Sequence, residues 1–187
     1  MMAFFASGRR RVAIVAAVAL AFSALAGCSV FSKKQVPPCP EINVLAEAAK
    51  FTRFRPGPGR DITDIVLQGE VTGYKGSCSY DKDEKKLTVT LQVQMTFTKG
   101  PAAAGNEAQA SYFVAVPAYY PKPEAKQILG VKFAFAPNAD HVRITDNQVE
   151  VTLPVADFVK DLPNRSIYIG FQLDEDELDY NRRERTK

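Results

Sequence analysis

The chain has 187 residues, 46% of them apolar and 24% charged, with 24 Lys and Arg against 21 Asp and Glu. The excess belongs entirely to Arg9, Arg10 and Arg11; beyond them the balance is 21 against 21, without the basic surplus that a nucleic-acid partner requires. A single histidine cannot build a histidine-rich metal site, and no cofactor motif occurs, so neither a metal nor a cofactor is expected.

The amino terminus has a positive stretch, Arg9 to Arg11, followed by an apolar run, Val12 to Ala26. This is the layout of a secretory signal. At 1.5 Å per residue the run spans roughly 22 Å, short of the ~30 Å hydrocarbon core of a bilayer. The run ends in Leu25-Ala26-Gly27-Cys28, which resembles the lipobox of bacterial prolipoproteins. The resemblance implies cleavage before Cys28, a diacylglycerol on its sulfur and an acyl group on the new amino terminus. Ser29 stands where inner-membrane retention uses Asp in such proteins, which points to an outer-membrane lipoprotein facing the periplasm. The implied organisation is a signal peptide over 1–27, a lipidated tether over 28–40, a β-domain over 41–173 and a charged tail over 174–187.

Two further cysteines, Cys39 and Cys78, have no zinc-like spacing. In an oxidising compartment they are expected to pair with each other. The segment before Glu41 carries Pro37, Pro38 and Pro40 and reads as a stiff spacer. Glu41 to Phe51 is ambiguous between a short helix and a strand. Arg53 to Arg60 contains Pro56, Gly57, Pro58 and Gly59 and reads as a loop, with Arg53, Arg55 and Arg60 forming a small basic rim.

Strands follow. One is expected over Asp61 to Gly73, with Gly73 and Gly76 bracketing a turn and a charged turn over Asp81 to Lys86. Leu87 to Thr98 is the clearest element: Leu87, Val89, Leu91, Val93, Met95 and Phe97 alternate with threonines and glutamines, which places one face in a core and the other in water. Lys99 to Gln109 reads as a loop, and Ser111 to Tyr119 as a strand interrupted by Pro117, which argues for an edge or a bulge there. Gln127 to Ala136 is a strand. Asp140 to Thr145 and Gln148 to Val155 flank Asp146-Asn147, whose composition suits a hairpin turn. Asp157 to Asn164 is a connector, Ser166 to Leu173 the last strand, and Asp174 to Lys187 a frayed helix or tail. Seven to eight strands with little helical periodicity predict an all-β protein, an antiparallel immunoglobulin-like sandwich, with a small lipocalin-like barrel as the alternative. Outward Thr, Gln, Lys and Glu argue against a membrane barrel.

The candidates for chemistry are few. His141 reads as a surface residue. The acidic run Asp174 to Asp179 lacks the spacing of a calcium loop, and Arg182, Arg183 and Arg185 are expected to pair with it. Tyr119-Tyr120-Pro121-Lys122-Pro123 reads either as a rigid aromatic loop of the kind that binding surfaces use or as two tyrosines packed back onto the sandwich edge. The mature part is similar to envelope lipoproteins of Gram-negative bacteria in Gly170 to Leu173 and Tyr180 to Arg183, a likeness that implies no activity. The expectation is therefore non-enzymatic: a membrane-anchored binding or scaffolding module for an envelope protein or cell-wall partner. The alternative is a small-ligand carrier or an enzyme with scattered loop residues.

Overall fold

The structure, a computed structural model, describes residues 38–161 and 165–186, without the side chains of 147, 148, 158 and 159. The expected signal segment, the lipobox with Cys28 and most of the tether lie outside the described residues. Among those described, no helix is long and apolar enough to cross a membrane.

Eight strands form two four-stranded sheets. They are β1 (Ile42–Val44), β2 (Lys50–Phe54), β3 (Ile65–Asp81), β4 (Lys86–Lys99), β5 (Glu107–Ala115), β6 (Lys126–Ala134), β7 (His141–Pro154) and β8 (Ile167–Phe171). One sheet runs β1-β8-β5-β6 and the other β2-β3-β4-β7, with every pairing antiparallel except β1 with β8. The fold is an all-β sandwich, and because neither sheet closes, the barrel alternative is excluded.

β4 forms as its pattern requires. All six of its apolar residues from Leu87 to Phe97 are fully buried, while the threonines and glutamines between them face solvent. Towards one end of β4 the core holds an aromatic cluster in which Phe97 stacks on Phe133 at 4.2 Å and meets Phe171 at 5.9 Å and Phe51 at 6.4 Å.

Several elements differ from the sequence reading. The ambiguous first segment is neither a single helix nor a single strand. It is β1, a 3-10 turn over Ala46–Ala48, and β2, so the chain leaves one sheet and enters the other within a few residues. Gly73 and Gly76 make no turn, because β3 runs unbroken for 17 residues. Its irregularity is a bulge at Thr72, between the pairs Val71 with Met95 and Gly73 with Gln94. Gly76 serves a close approach instead: a Cβ there would lie 2.8 Å from Cδ1 of Ile42. The Asp146-Asn147 hairpin does not form either. β7 continues through it as a bulge, with residues 147 and 148 opposite Gln92 alone. β5 begins earlier than expected, at Glu107, and ends at Ala115, so Pro117 lies outside the strand and opens a 3-10 turn over Pro117–Tyr119.

The charged turn between β3 and β4 does form. The Asp81 carboxylate accepts from the backbone N–H groups of Asp83 and Glu84 at 2.9 and 3.0 Å, and Lys85 closes the turn in the left-handed region at φ 52°. The connector contains a helical turn, α1 (Phe158–Asp161). The charged tail is an ordered helix, α2 (Glu175–Arg185), started by a capping box between Asp174 and Glu177. Cys39 and Cys78 form a disulfide that ties the entering chain to β3, and Tyr74 reinforces it by donating its hydroxyl to the Ile42 carbonyl at 2.6 Å.

Candidate functional site

The three arginines of the expected rim do converge, but each meets a carboxylate. Arg53 donates Nε to Glu177 at 2.9 Å and Nη1 to the Gln109 carbonyl at 3.1 Å. Arg55 pairs with the buried Asp64. Arg60 donates to Asp176 at 3.1 Å and to the Gly57 and Gly59 carbonyls at 2.8 Å each. They border a cleft of about 260 Å³ whose other wall is Asp174, Asp176 and Glu177 at the start of α2. Positive and negative groups balance there: Arg53 and Arg60 serve first to dock α2, while Arg55 holds Asp64 in the turn before β3. The acidic run thus meets the rim arginines more than the arginines of its own helix. Arg182 lies 3.9 Å from Asp179, and Arg182 and Arg185 reach Glu47 at 3.7 and 3.8 Å.

Further contacts fix α2 against β2. Asn181 donates to the Glu47 and Lys50 carbonyls at 2.9 and 2.7 Å, and Tyr180 meets Phe54 edge-on at 5.1 Å. Glu177 is the buried member of this dock, 4% exposed. Burial raises its pKa, and the Arg53 charge opposes that shift without cancelling it. A carboxyl with a raised folded pKa contributes stability that is present below its unfolded value and lost as pH rises through the folded value. Glu177→Gln removes that dependence. The stability difference, wild type minus Glu177→Gln, is therefore expected to grow in favour of the wild type as pH falls from 7 towards 4. Urea melts across that range measure it; a difference that shrinks on acidification would show the Arg53 pairing outweighing burial.

The structure separates the two tyrosines of the aromatic loop. Tyr119 turns inward: Arg165 donates Nη1 to its hydroxyl at 3.1 Å and lies 5.4 Å from its ring, and Asp161 holds Arg165 at 3.5 Å. Burial raises the pKa of the Tyr119 hydroxyl. Tyr120 points out and is 83% exposed. The loop is rigid by construction. Pro117 and Pro123 each open a 3-10 turn, and the Val116 N–H donates to the Ala125 carbonyl at 2.8 Å across its base.

One polar contact had no sequence signal. Tyr112 is fully buried on β5, and its hydroxyl donates to Asp146 on β7 at 2.8 Å, joining the sheets beside the β7 bulge. Burial and that carboxylate together push the Tyr112 pKa far above the ordinary phenol range. His141 is exposed and pairs with Asp140 at 2.8 Å. Among the described residues no group of three or more His, Cys, Asp or Glu is placed to hold a metal ion.

No family model matches the chain, and no curated protein or solved structure matches it.

Proposed function

We propose that this is a lipid-anchored envelope lipoprotein, held at the outer membrane through Cys28, that acts by binding rather than by catalysis. The observation that carries the reading is Tyr120: a large side chain, 83% exposed, on a loop stiffened by proline turns. Presenting an aromatic ring from a rigid loop lowers the ordering entropy lost on binding. Cys28 and Cys39 are eleven residues apart, so the anchor keeps the disulfide-clamped end of the domain within about 40 Å of the bilayer. Acyl chains contribute about 0.8 kcal/mol per buried methylene, and more than one chain gives stable anchoring. The partner is an envelope protein or a cell-wall component.

Two measurements test this. Cys28→Ser should release the protein into the soluble fraction after lysis; a variant that still needs detergent would end the lipoprotein reading. Tyr120→Ala should leave the melting curve unchanged and abolish crosslinking to the partner in intact cells. Tyr119→Ala, by contrast, should lower stability by about 1–3 kcal/mol through loss of its packing and its Arg165 contact. Unchanged crosslinking by folded Tyr120→Ala would place the binding surface elsewhere.

A further inference from the structure

A strand at the rim of a sheet offers unpaired backbone N–H and C=O groups, and folded proteins blunt such edges with short strands, bulges, prolines, coverings or charged side chains, lysine above all. In this sandwich the rims differ in how well they are blunted. β1 has only three residues. β2 is covered by α2 through the Arg53–Glu177 and Phe54–Tyr180 contacts. The half of β3 beyond its pairing with β2 is crossed by the entering chain at Cys39 and Ile42. β7 carries the two-residue bulge and ends in Pro154.

β6 has only the lysines, Lys126 and Lys132, and one side-chain contact to β7, Gln127 Nε2 to the Glu150 carbonyl at 3.3 Å. It pairs with β5 alone, in unbroken register over all nine residues from Lys126 opposite Ala115 to Ala134 opposite Glu107, and contains no proline. Its inward side chains include Val131, which is buried, and Phe133, which stacks on Phe97. Its outward side chains are Lys126, Ile128, Lys132 and Ala134, with Gly130 between them, and Ile128 is 60% exposed.

We propose that β6 is the acceptor edge for an added strand, supplied by an extended acidic segment of another protein. The chemistry of the occupant follows from charge. β6 carries two lysines and no carboxylate, and the acid on the neighbouring strand, Glu107, stands opposite Ala134 at the far end. Opposite charges directly across a strand pair attract and like charges repel. Two copies of β6 paired antiparallel about residue 129 would set Lys126 against Lys132 twice, whereas a strand with carboxylates at those positions gains both contacts. Ile128 between the lysines favours a β-branched residue opposite it. Backbone pairing would then supply affinity, and the lysines would supply direction and selectivity. The inference requires neither the anchor nor the Tyr120 loop.

The test uses the full chain, isotope-labelled and held in detergent, titrated with a synthetic seven-residue peptide. The peptide has glutamate at both ends, valine at its fifth position and threonine elsewhere, which places the valine opposite Ile128 in the antiparallel register. The expected result is amide shift changes concentrated over residues 126–134. A matched peptide with lysine at both ends should bind about tenfold more weakly. Lys126→Glu with Lys132→Glu should reverse that preference. Shifts located elsewhere, or no shifts at saturating peptide, would overturn the proposal. So would equal binding of the two peptides to the unaltered protein, a result that needs no variant. Self-association of the protein that disappears in the doubly substituted chain would also overturn it, by assigning the edge to a second copy.

Discussion

Phe97→Ala is expected to lower the unfolding free energy by about 3–5 kcal/mol, the usual cost of emptying a large aromatic site in a core. Phe97 is fully buried towards one end of β4, and its ring meets rings from both sheets. Phe133 and Phe171 approach it from one sheet and Phe51 from its own, at centroid distances of 4.2, 5.9 and 6.4 Å. Three of its neighbours are rings on backbone already fixed by ladder hydrogen bonds, so the hole has little freedom to close. Gln94→Ala, on the opposite face of the same strand, should stay within about 0.5 kcal/mol. Chemical denaturation of the two variants side by side decides it. A loss below about 1 kcal/mol for Phe97→Ala would mean that the surrounding rings repack into the space.

Loss of the disulfide is the second large effect. Cys39 and Cys78 are 39 residues apart in sequence, and in the chain-entropy account a loop of that size contributes about 4 kcal/mol. Cys78→Ala and Cys39→Ala should each lose most of it, and the double variant should lose no more than either single one, because the two changes remove the same crosslink. Reductant should move the wild-type melt to the position of the variants and leave theirs unchanged. Alkylation of the denatured, unreduced protein should label neither cysteine; two labels per chain would dismiss the bridge.

The parts of this fold that could be read from sequence are those where one physical signal repeats. β4 puts the same demand on six successive inward positions, and no local preference opposes it, so its limits are right to within a residue. The failures come where a local signal meets a stronger distant one. Asp146-Asn147 has turn composition, but β4 pairs with β7 on both sides of that point and absorbs the extra residue as a bulge. Gly73 and Gly76 look like turn glycines, yet the long ladder to β4 keeps β3 extended through both. The cysteine pair was legible because only two candidates remain after Cys28. The arginine loop could be located but not understood. The partner of Arg53 lies 124 positions away, and the acidic run that neutralises the rim looks in sequence like a solvated tail. The tyrosine pair was legible as a feature and not as a division of labour, since nothing local indicates that Arg165 takes Tyr119 and leaves Tyr120 outside.

The crosslink at Cys39 also decides how the domain responds to pulling. Without it, tension entering from the amino-terminal side would arrive at β1, a rim strand of three residues, and would unzip that strand from β8 one rung at a time. With it, the force passes through sulfur into β3, whose ladder with β4 runs from Leu67 opposite Lys99 to Asp81 opposite Lys86. β1 is then largely out of the mechanical path, and many rungs must yield before the sandwich opens. A domain tethered at its amino end and pulled by a partner on its far side would therefore resist extension with its longest strand rather than its shortest.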